Sequence, residues 1–505
     1  MASGSKTDTA TGEAGIETLT PHQRQIIDLV LGGQNTFMTG CAGTGKSHVL
    51  KIAVAQARAH GINTVVTAST GVAADILGGT TLHSQLGLGL AQDPLPVLLR
   101  KARASGKIKQ KWKNVQLLVI DEVSMLHPDF FETVDQVLRG LKHAHLPFGG
   151  ISLLLSGDFF QLPPVLDRNR ADTLPVFAFQ TNAWRRADIQ VVELVDIFRQ
   201  AADPTFAQLL SRVRRAEHTL DDIVMLAGRV NAEIQLPEGI EPTRMYSRKV
   251  CVDTINTKKL SELVATESHV FNSAAFIEID TDLPAAKRMR TDPTITRMTR
   301  AQKQVILEAA RTQVVKNAAV PQELALKVGA QVMLMVNLDL ENGLVNGSRG
   351  VIVDFRVPTT GGRPLPIVKF ANREMQVNTY VWNHEIPGVG VVGYRQMPLR
   401  LAWAITIHKA QGLSLDYVYM KLDRSVFEHA QAYVALSRVR TLEGLSLEGF
   451  TPDVIRAHPA AVIFYQALQH AQHLEAEAAQ AAMEAEAEAN TRVVLLCETV
   501  EEATD

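Results

Sequence analysis

The chain has 505 residues, 46% of them hydrophobic and 21% charged, an ordinary globular composition with room for two to four domains. No apolar run reaches the roughly eighteen residues of a membrane span, no secretory or transit signal is visible, and the scattered Cys41, Cys251 and Cys497 give neither a disulfide framework nor a CxxC metal site. The net charge of −2 is unevenly spread. Residues 474–505 hold nine acids and one base, so the remainder carries +6; a polyanion-binding body with an acidic tail and an ordinary solvated surface both fit.

Residues 1–16, mostly Ser, Thr, Gly and Ala with scattered charges, read as a flexible leader. Thr20-Pro21 then marks a helix start, with a cap followed by proline at the first helical position. Gln23, one turn in, offers both a donor and an acceptor that suit an adenine edge. A β-type run, Thr36–Thr39, leads into Gly40-Cys41-Ala42-Gly43-Thr44-Gly45-Lys46-Ser47, and a helical pattern follows from Val49 to Ala59. Strand, GxxxxGKS and helix in that order form a P-loop. Its glycines let successive N–H groups point at a β-phosphate, and the helix N-terminus adds partial positive charge. Lys46 can reach the β- and γ-phosphates and Ser47 can ligate Mg²⁺. A nucleoside triphosphate is the expected ligand.

Asn63–Ala68 reads as a strand ending at Ser69-Thr70-Gly71, with a helical stretch, Val72–Leu77, and then Gly78 to His83. Hydroxyls and amides there suit either phosphate contacts or a helix cap. Of the fourteen residues 100–113, seven are basic, Lys107 and Lys109 among them, and none is acidic; Trp112 is interleaved. A nucleic-acid groove and a solvated basic helix are both compatible with that pattern. Leu117–Ile120 is a buried-strand run that ends in Asp121-Glu122, where one carboxylate can hold Mg²⁺ and the next can position and deprotonate water. A helix over Asp129–Lys142, Pro147-Phe148-Gly149-Gly150, a strand over Ile151–Leu155 and Gln161 come next. Gln161 is placed to sense a γ-phosphate. The strand Val191–Val195 leads to Arg199, which could reach phosphates or form a surface salt bridge.

Helices are predicted at Pro204–Ala216, Ile223–Val230 and Val250–Leu263, and a strand at Thr243–Tyr246. The pattern loosens from residue 264, where residues 284–292 (PAAKRMRTD) fit a nuclear localisation signal or a plain basic loop. Short runs at Val328–Val336, Gly350–Phe355, Ile367–Phe370 and Glu374–Tyr380 suggest a small inserted β-barrel. Leu401–Ala404 resumes buried-strand character before Thr406-Ile407-His408-Lys409-Ala410-Gln411-Gly412. A strand, Tyr417–Leu422, a helix carrying Gln431–Arg438 and a final helix, Pro452–Gln469, complete the body. Residues 471–490 are Ala/Glu/Gln-rich.

The order of these segments resembles the Pif-one-type (petite-integration-frequency) DNA helicases of superfamily 1, relatives of the RecD-like enzymes. GCAGTGKS, VIDEVSML, PFGG leading to GDFFQLPPV, GLVNGSRG, TIHKAQG and QAYVALSRVR carry the resemblance, which covers about residues 19–468. It implies an α/β fold of two RecA-like P-loop NTPase lobes with parallel sheets and ATP bound between them. Lobe 1A would span 17–200 with a wedge insertion at 84–113. Lobe 2A would comprise 201–263 and 396–470, with an SH3-like insertion at 264–395 and an acidic tail at 471–505.

The resemblance also implies roles. Gln23 would read adenine, residues 40–47 would hold the phosphates, and Ser47 with Asp121 would hold Mg²⁺. Glu122 would be the base, and Gln161 would couple the γ-phosphate to DNA. Arg199 and Arg438 would stabilise transition-state charge, with Gln411 and Gly412 closing from the second lobe. Thr70, His83, Thr406, His408 and Lys409 would line the single-strand track. The expected activity is ATP-dependent 5′-to-3′ unwinding of DNA, by a monomer on forked or 5′-tailed duplexes, extending to G-quadruplexes and RNA–DNA hybrids. The expected setting is intracellular, whether nuclear, cytoplasmic or viral, and without a membrane. A translocase that strips proteins from single strands and a non-catalytic nucleotide switch are the other readings. Cys41 and Ala410 stand where the family pattern has serine.

Overall fold

The apolar runs of the first half lie side by side. In the computed structural model, β1 (Thr36–Gly40), β2 (Thr64–Ala68), β3 (Thr80–Thr81), β4 (Leu117–Asp121), β5 (Ser152–Ser156) and β6 (Gln190–Leu194) form one sheet in the order β3-β2-β4-β5-β1-β6, with every pairing parallel. The structure describes residues 19–480 apart from 70–73, 75–76, 78, 89–92, 105, 165–175, 236–241, 265–266, 280–297, 317, 319, 337, 340–343, 345–346, 360, 371–372, 387–388, 475–476 and 478–479. The 284–292 cluster and most of the acidic tail therefore lie outside the described residues. All five residues of β4 are buried, which is why its sequence is a continuous apolar run rather than an alternation. β4, β5 and β1 are adjacent, so the segments following their C-terminal ends meet at one edge of the sheet. Open α/β sheets bind ligands at that edge.

The PFGG stretch has a structural use. Phe148 and Gly149 both adopt left-handed backbone, with φ of 49° and 65°, and a Cβ on Gly149 would sit 2.6 Å from the Leu138 carbonyl oxygen. The Phe148 N–H donates to Asp135 at 2.7 Å, and the buried ring packs against Phe131 at 5.2 Å. This turn fixes the helix Pro128–Leu141 against the start of β5.

The expected wedge contains the helices Leu82–Leu86, Leu95–Ala104 and Gly106–Asn114. Trp112 is not offered to a ligand. It is fully buried, and its indole N–H donates to the Gln85 carbonyl at 3.2 Å, so in this segment the aromatic builds the core while Lys109 stays exposed.

β7 (Thr243–Tyr246) and the helix Lys249–Glu262 open the second lobe, and the chain then leaves it. β8 (His269–Asn272) pairs with β10 (Glu323–Leu326), and β9 (Ala274–Ile279) later joins β15 and β16. A five-stranded antiparallel sheet follows from β11 (Gln331–Leu334), β12 (Arg349–Arg356), β13 (Leu365–Phe370), β14 (Glu374–Gln376) and β17 (Leu399–Leu401). β15 (Tyr380–Ile386) and β16 (Gly390–Gln396) complete the three-stranded sheet, on which Leu307 of the helix Arg300–Lys316 packs against Ile279 and Val392. The predicted single run Glu374–Tyr380 is thus two strands in two sheets. An unbroken β-type pattern carries no mark of a change of partner. Because Leu399–Leu401 pairs with β11, the inserted sheet runs past the expected limit at 395.

The lobe resumes with β18 (Ala404–Thr406), β19 (Val418–Leu422) and β20 (Leu445–Phe450), giving a parallel sheet ordered β18-β7-β19-β20. The predicted helix Pro452–Gln469 is also divided. A short 3-10 turn, Pro452–Val454, is followed by non-helical residues, and helix returns at 459–474. Pro459 disfavours helical backbone at His458 and is itself tolerated in a first turn. The chain divides into a body ending at Arg456 and a smaller unit from Ala457 onward.

One buried ion cluster ties the lobes together. The helix Pro204–Arg215 puts Phe206, Leu209, Leu210 and Val213 into the second lobe's core. Its Arg214, 1% exposed, reaches back to Asp158 after β5, 0% exposed, at 2.9 Å and to Glu193 on β6 at 2.9 Å. Removing one member of a fully buried pair strands the other charge and typically costs about 3–5 kcal/mol. Arg214→Ala should therefore lower the thermal unfolding midpoint sharply, as followed by circular dichroism. An unchanged midpoint would mean that this cluster does not hold the lobes.

Candidate functional site

The phosphate loop joins β1 to the helix Lys46–Ala59. Gly40, Gly43 and Gly45 all have positive φ. Two of these positions also exclude a side chain by contact, since a Cβ at Gly40 would sit 2.5 Å from the Leu194 carbonyl and one at Gly43 would sit 2.5 Å from Arg199 Cβ. Only glycine fits there. Lys46 Nζ donates to the Gly40 and Cys41 carbonyls at 2.9 and 2.8 Å, and burial holds its pKa below the usual lysine value. Ser47 is exposed at the start of the helix.

The two acids stand at the end of β4. Asp121 is buried, and burial raises its pKa. Glu122 takes left-handed backbone, φ 53° and ψ 44°, an uncommon conformation for a non-glycine residue that turns its side chain out of the strand path. Burial, with Asp121 beside it, pushes the Glu122 carboxyl up to about 7. Gln411 of the second lobe donates from Nε2 to Glu122 Oε2 at 3.0 Å. Gly412 follows with φ 83° and open space around its Cα.

Two arginines face the loop. The Phe198 and Arg199 N–H groups both donate to the Gly43 carbonyl, and Arg199 Nη1 donates to the Ser437 carbonyl at 3.0 Å. Arg438 is 2% exposed; its donors go to the Val434 carbonyl at 2.8 Å and the Ser437 hydroxyl at 2.7 Å. Burial, with Arg199 nearby, brings its pKa down to about 9. Among the described residues, Lys46, Arg199 and Arg438 are bonded to neutral groups and form no salt bridge. Glu122, and for Lys46 and Arg438 also Asp158, lies within their electrostatic reach, but no carboxylate bonds them directly, and a bound polyanion would add balancing charge.

Gln23 is buried, and its Oε1 accepts from the Thr20 N–H at 3.2 Å, closing a capping box. Gln161 donates to Asp158 Oδ2 at 3.3 Å, so it hangs from the ion cluster that joins the lobes. Sequence reasoning missed Phe198. Its ring is 54% exposed, and it lies beside Gly45, where Gln23 also reaches. An apolar residue wedged in the Asp196–Gln200 segment was the available signal. An exposed aromatic face there suits stacking on a planar base.

Of the residues expected along a nucleic-acid track, Thr70 and the side chain of Lys107 lie outside the described residues. His83 stacks on Phe130 with ring centroids 3.7 Å apart and planes 5° apart; burial lowers its pKa to about 4, so it is neutral at pH 7. Thr406 caps the short helix Ile407–Ala410, its hydroxyl accepting from the Lys409 N–H at 3.4 Å. Burial also lowers the His408 pKa. Burial, then repulsion from Arg400 and Lys249, brings Lys409 down to about 8. Asp253 partly offsets these like charges, and a bound anion would offset them further.

A depressed histidine pKa makes stability pH-dependent. The unfolded chain takes up a proton at His83 between pH 6.5 and 4 while the folded chain does not, so stability is full above pH 6.5 and falls as pH drops through that window. His83→Gln should therefore reduce the acid-induced loss of stability by on the order of 1–3 kcal/mol, measured as unfolding midpoint against pH beside the wild type. Parallel pH curves would show that His83 is not buried neutral.

The comparisons with known proteins agree with this arrangement. The family model described as PIF1-like helicase matches residues 18–227, and that of the 2B domain of DNA helicase Pif1 matches residues 312–355. The mouse ATP-dependent DNA helicase PIF1 is 39% identical over 460 residues, covering 91% of this chain and 64% of the mouse protein. The chain thus spans just under two thirds of the curated relatives it matches. The crystal structure of the Candida albicans Pif1 helicase is 33% identical, with a TM-score of 0.73 over 89% of this chain and 99% of that one. Bacteroides Pif1 in complex with ADP-AlF4 is 30% identical, with a TM-score of 0.68 over 90% and 97%; its form bound to single-stranded DNA is 29% identical, with a TM-score of 0.62 over 90% and 98%. With two parallel-sheet RecA-like lobes, the inserted β-domain and these matches, the chain belongs to the PIF1-like helicase family.

Proposed function

We propose that this protein is an ATP-driven DNA helicase that moves 5′ to 3′ on a single strand and separates duplex DNA. One observation carries the proposal. Three buried or half-buried cations, one on the phosphate loop, one after β6 and one on the second lobe, stand around the loop hydrogen-bonded to neutral oxygens, with Glu122 in electrostatic reach but no carboxylate bonded to them among the described residues. A nucleoside triphosphate supplies balancing charge, and its hydrolysis changes that charge in both lobes' shared cleft.

In this reading the amides of residues 40–47 and Lys46 hold the phosphates, and Gln23 with Phe198 holds the adenine. Asp121 and Ser47 fit a divalent cation, since Asp121 is a buried carboxylate without a cationic hydrogen-bond partner among the described residues. Mg²⁺ when bound supplies charge neutralisation on the phosphates. Glu122 takes the proton of the attacking water, and Gln411 fixes its carboxylate from the opposite lobe, so the base is aligned when the lobes are together. Arg199 and Arg438 stabilise charge on the transferring phosphoryl group. Gln161 carries the change through Asp158 and Arg214 to the second lobe.

His83, Thr406, His408, Lys409, Lys109, Thr70 and Lys107 contribute to a track that binds backbone and stacked bases without reading sequence. Neutral, stacked His83 suits base contact, and Lys409 suits phosphate. Forked or 5′-tailed DNA is the proposed substrate, with G-quadruplexes and RNA–DNA hybrids within its range, and one chain on the strand as the working unit. No helix among the described residues is long and apolar enough to cross a membrane.

With ATP and Mg²⁺, a duplex bearing a 5′ single-stranded tail should be unwound while one with a 3′ tail is not. DNA-stimulated ATPase without strand separation would replace the helicase reading by a translocase, and unwinding from the 3′ tail alone would reverse the polarity. Glu122→Gln should keep single-strand affinity while turnover falls by roughly 10²–10⁴-fold, the scale of a general base. Surviving turnover would remove Glu122 from that role.

A further inference from the structure

The phosphate loop is held from the second lobe at one atom. The backbone N–H of Ala42, the third residue of the loop, donates to the hydroxyl of Tyr433 at 2.8 Å, and both groups are buried. Tyr433 sits on the helix Gln431–Leu436, which runs directly into Ser437 and Arg438. Its ring belongs to the second lobe's core, packed in the same buried cluster as Leu436 and Val439. The hydroxyl lies within the electrostatic reach of Cys41, of the ion-paired Asp158 and Arg214, and of Arg199 and Arg438.

A phenol has one proton to give and lone pairs to accept with. The Ala42 N–H uses the acceptor side. The proton has no acceptor among the described residues, because the bond from Ala42 is the one hydrogen bond that the Tyr433 hydroxyl makes there. Burial raises the phenol's pKa well above its ordinary value, so the proton stays on the oxygen at neutral pH. A buried O–H donor with its proton unused, bonded to a loop built for phosphate and near two arginines that no carboxylate bonds directly, suits an anionic oxygen. On the ATPase reading, the loop's inner amides would hold a diphosphate, and a third phosphate would extend toward the lobe-facing side.

We propose that Tyr433 is the residue by which the second lobe detects a terminal phosphate, its hydroxyl accepting from the Ala42 N–H and donating to a γ-phosphate oxygen. The inference rests on the ATPase reading above and adds the atom that distinguishes triphosphate from diphosphate. The bond spans both lobes, so occupancy by a triphosphate strengthens the inter-lobe contact and its loss weakens it. Nothing in a glycine-rich loop motif calls for a tyrosine nearly four hundred residues away.

Tyr433→Phe removes the hydroxyl and keeps the ring. In the full chain with Mg²⁺, dissociation constants for ADP and for a β,γ-imido ATP analogue should be measured, beside single-strand-stimulated ATP turnover and the thermal midpoint. Affinity for the analogue should fall about ten- to hundredfold, the range of a hydrogen bond to a charged group, with ADP affinity within about twofold and the midpoint lowered only by the loss of the one bond to the Ala42 N–H. Equal losses for both nucleotides, losses that follow a midpoint lowered beyond that, or no loss at all would each overturn the assignment. Wild-type protein that binds the analogue but does not turn over ATP would instead overturn the ATPase reading, whatever the variant does.

Discussion

Positive charge that no carboxylate bonds directly, gathered around a glycine-rich loop, is the constraint that organises this molecule. Lys46, Arg199 and Arg438 are each removed from bulk water and each satisfied only by carbonyl or hydroxyl oxygens. Carbonyl oxygens satisfy the donors' geometry without cancelling their charge. Such an arrangement stores unfavourable free energy in the folded chain, and the surrounding cores must outweigh it. The parallel sheet does so on one side, with β4 buried along its whole length. The second lobe does so on the other, where Leu436, Val439 and Leu445 pack with Leu209 and Val213.

The acids of the site complement this charge without neutralising it. Asp121 and Glu122 are buried next to each other, and both carboxyls are pushed upward. Gln411 holds Glu122 from across the cleft. Gln161, Asp158 and Arg214 make a second crossing, further from the phosphates and fully buried. Lobe contact is thus written in polar bonds at the nucleotide and in an ion cluster behind it. A small lobe movement changes the first set before it disturbs the second, which is the arrangement a reversible closure requires.

The insertions serve a different surface. The wedge helices bury Trp112 and expose Lys109, and Arg103 ties them to the helix Pro128–Leu141 through the Gly140 carbonyl. The inserted β-domain closes around Phe271, Val332, Ile352 and Trp403, and its last strand returns the chain to β18 and the Thr406–Gly412 segment. The residues proposed for the track and Gln411, which bonds Glu122, therefore share one short stretch.

By itself, the sequence determined the two-lobed α/β order, the phosphate loop, the acid pair and the family. Each depends on local pattern: buried parallel strands are continuous apolar runs, and a loop that wraps phosphate needs glycine at fixed spacing. Local pattern could also misdirect, as with Trp112, which is flanked by basic residues in sequence yet fully buried, and with the helix at Pro452, where Pro459 forces a break. Only the tertiary structure decided which distant groups meet. Arg214 with Asp158, Gln411 with Glu122, Phe198 beside Gln23, and Tyr433 with the Ala42 amide are separated by 56, 289, 175 and 391 residues. No periodicity encodes such pairs, because they are set by how two independently folded sheets present their edges to each other.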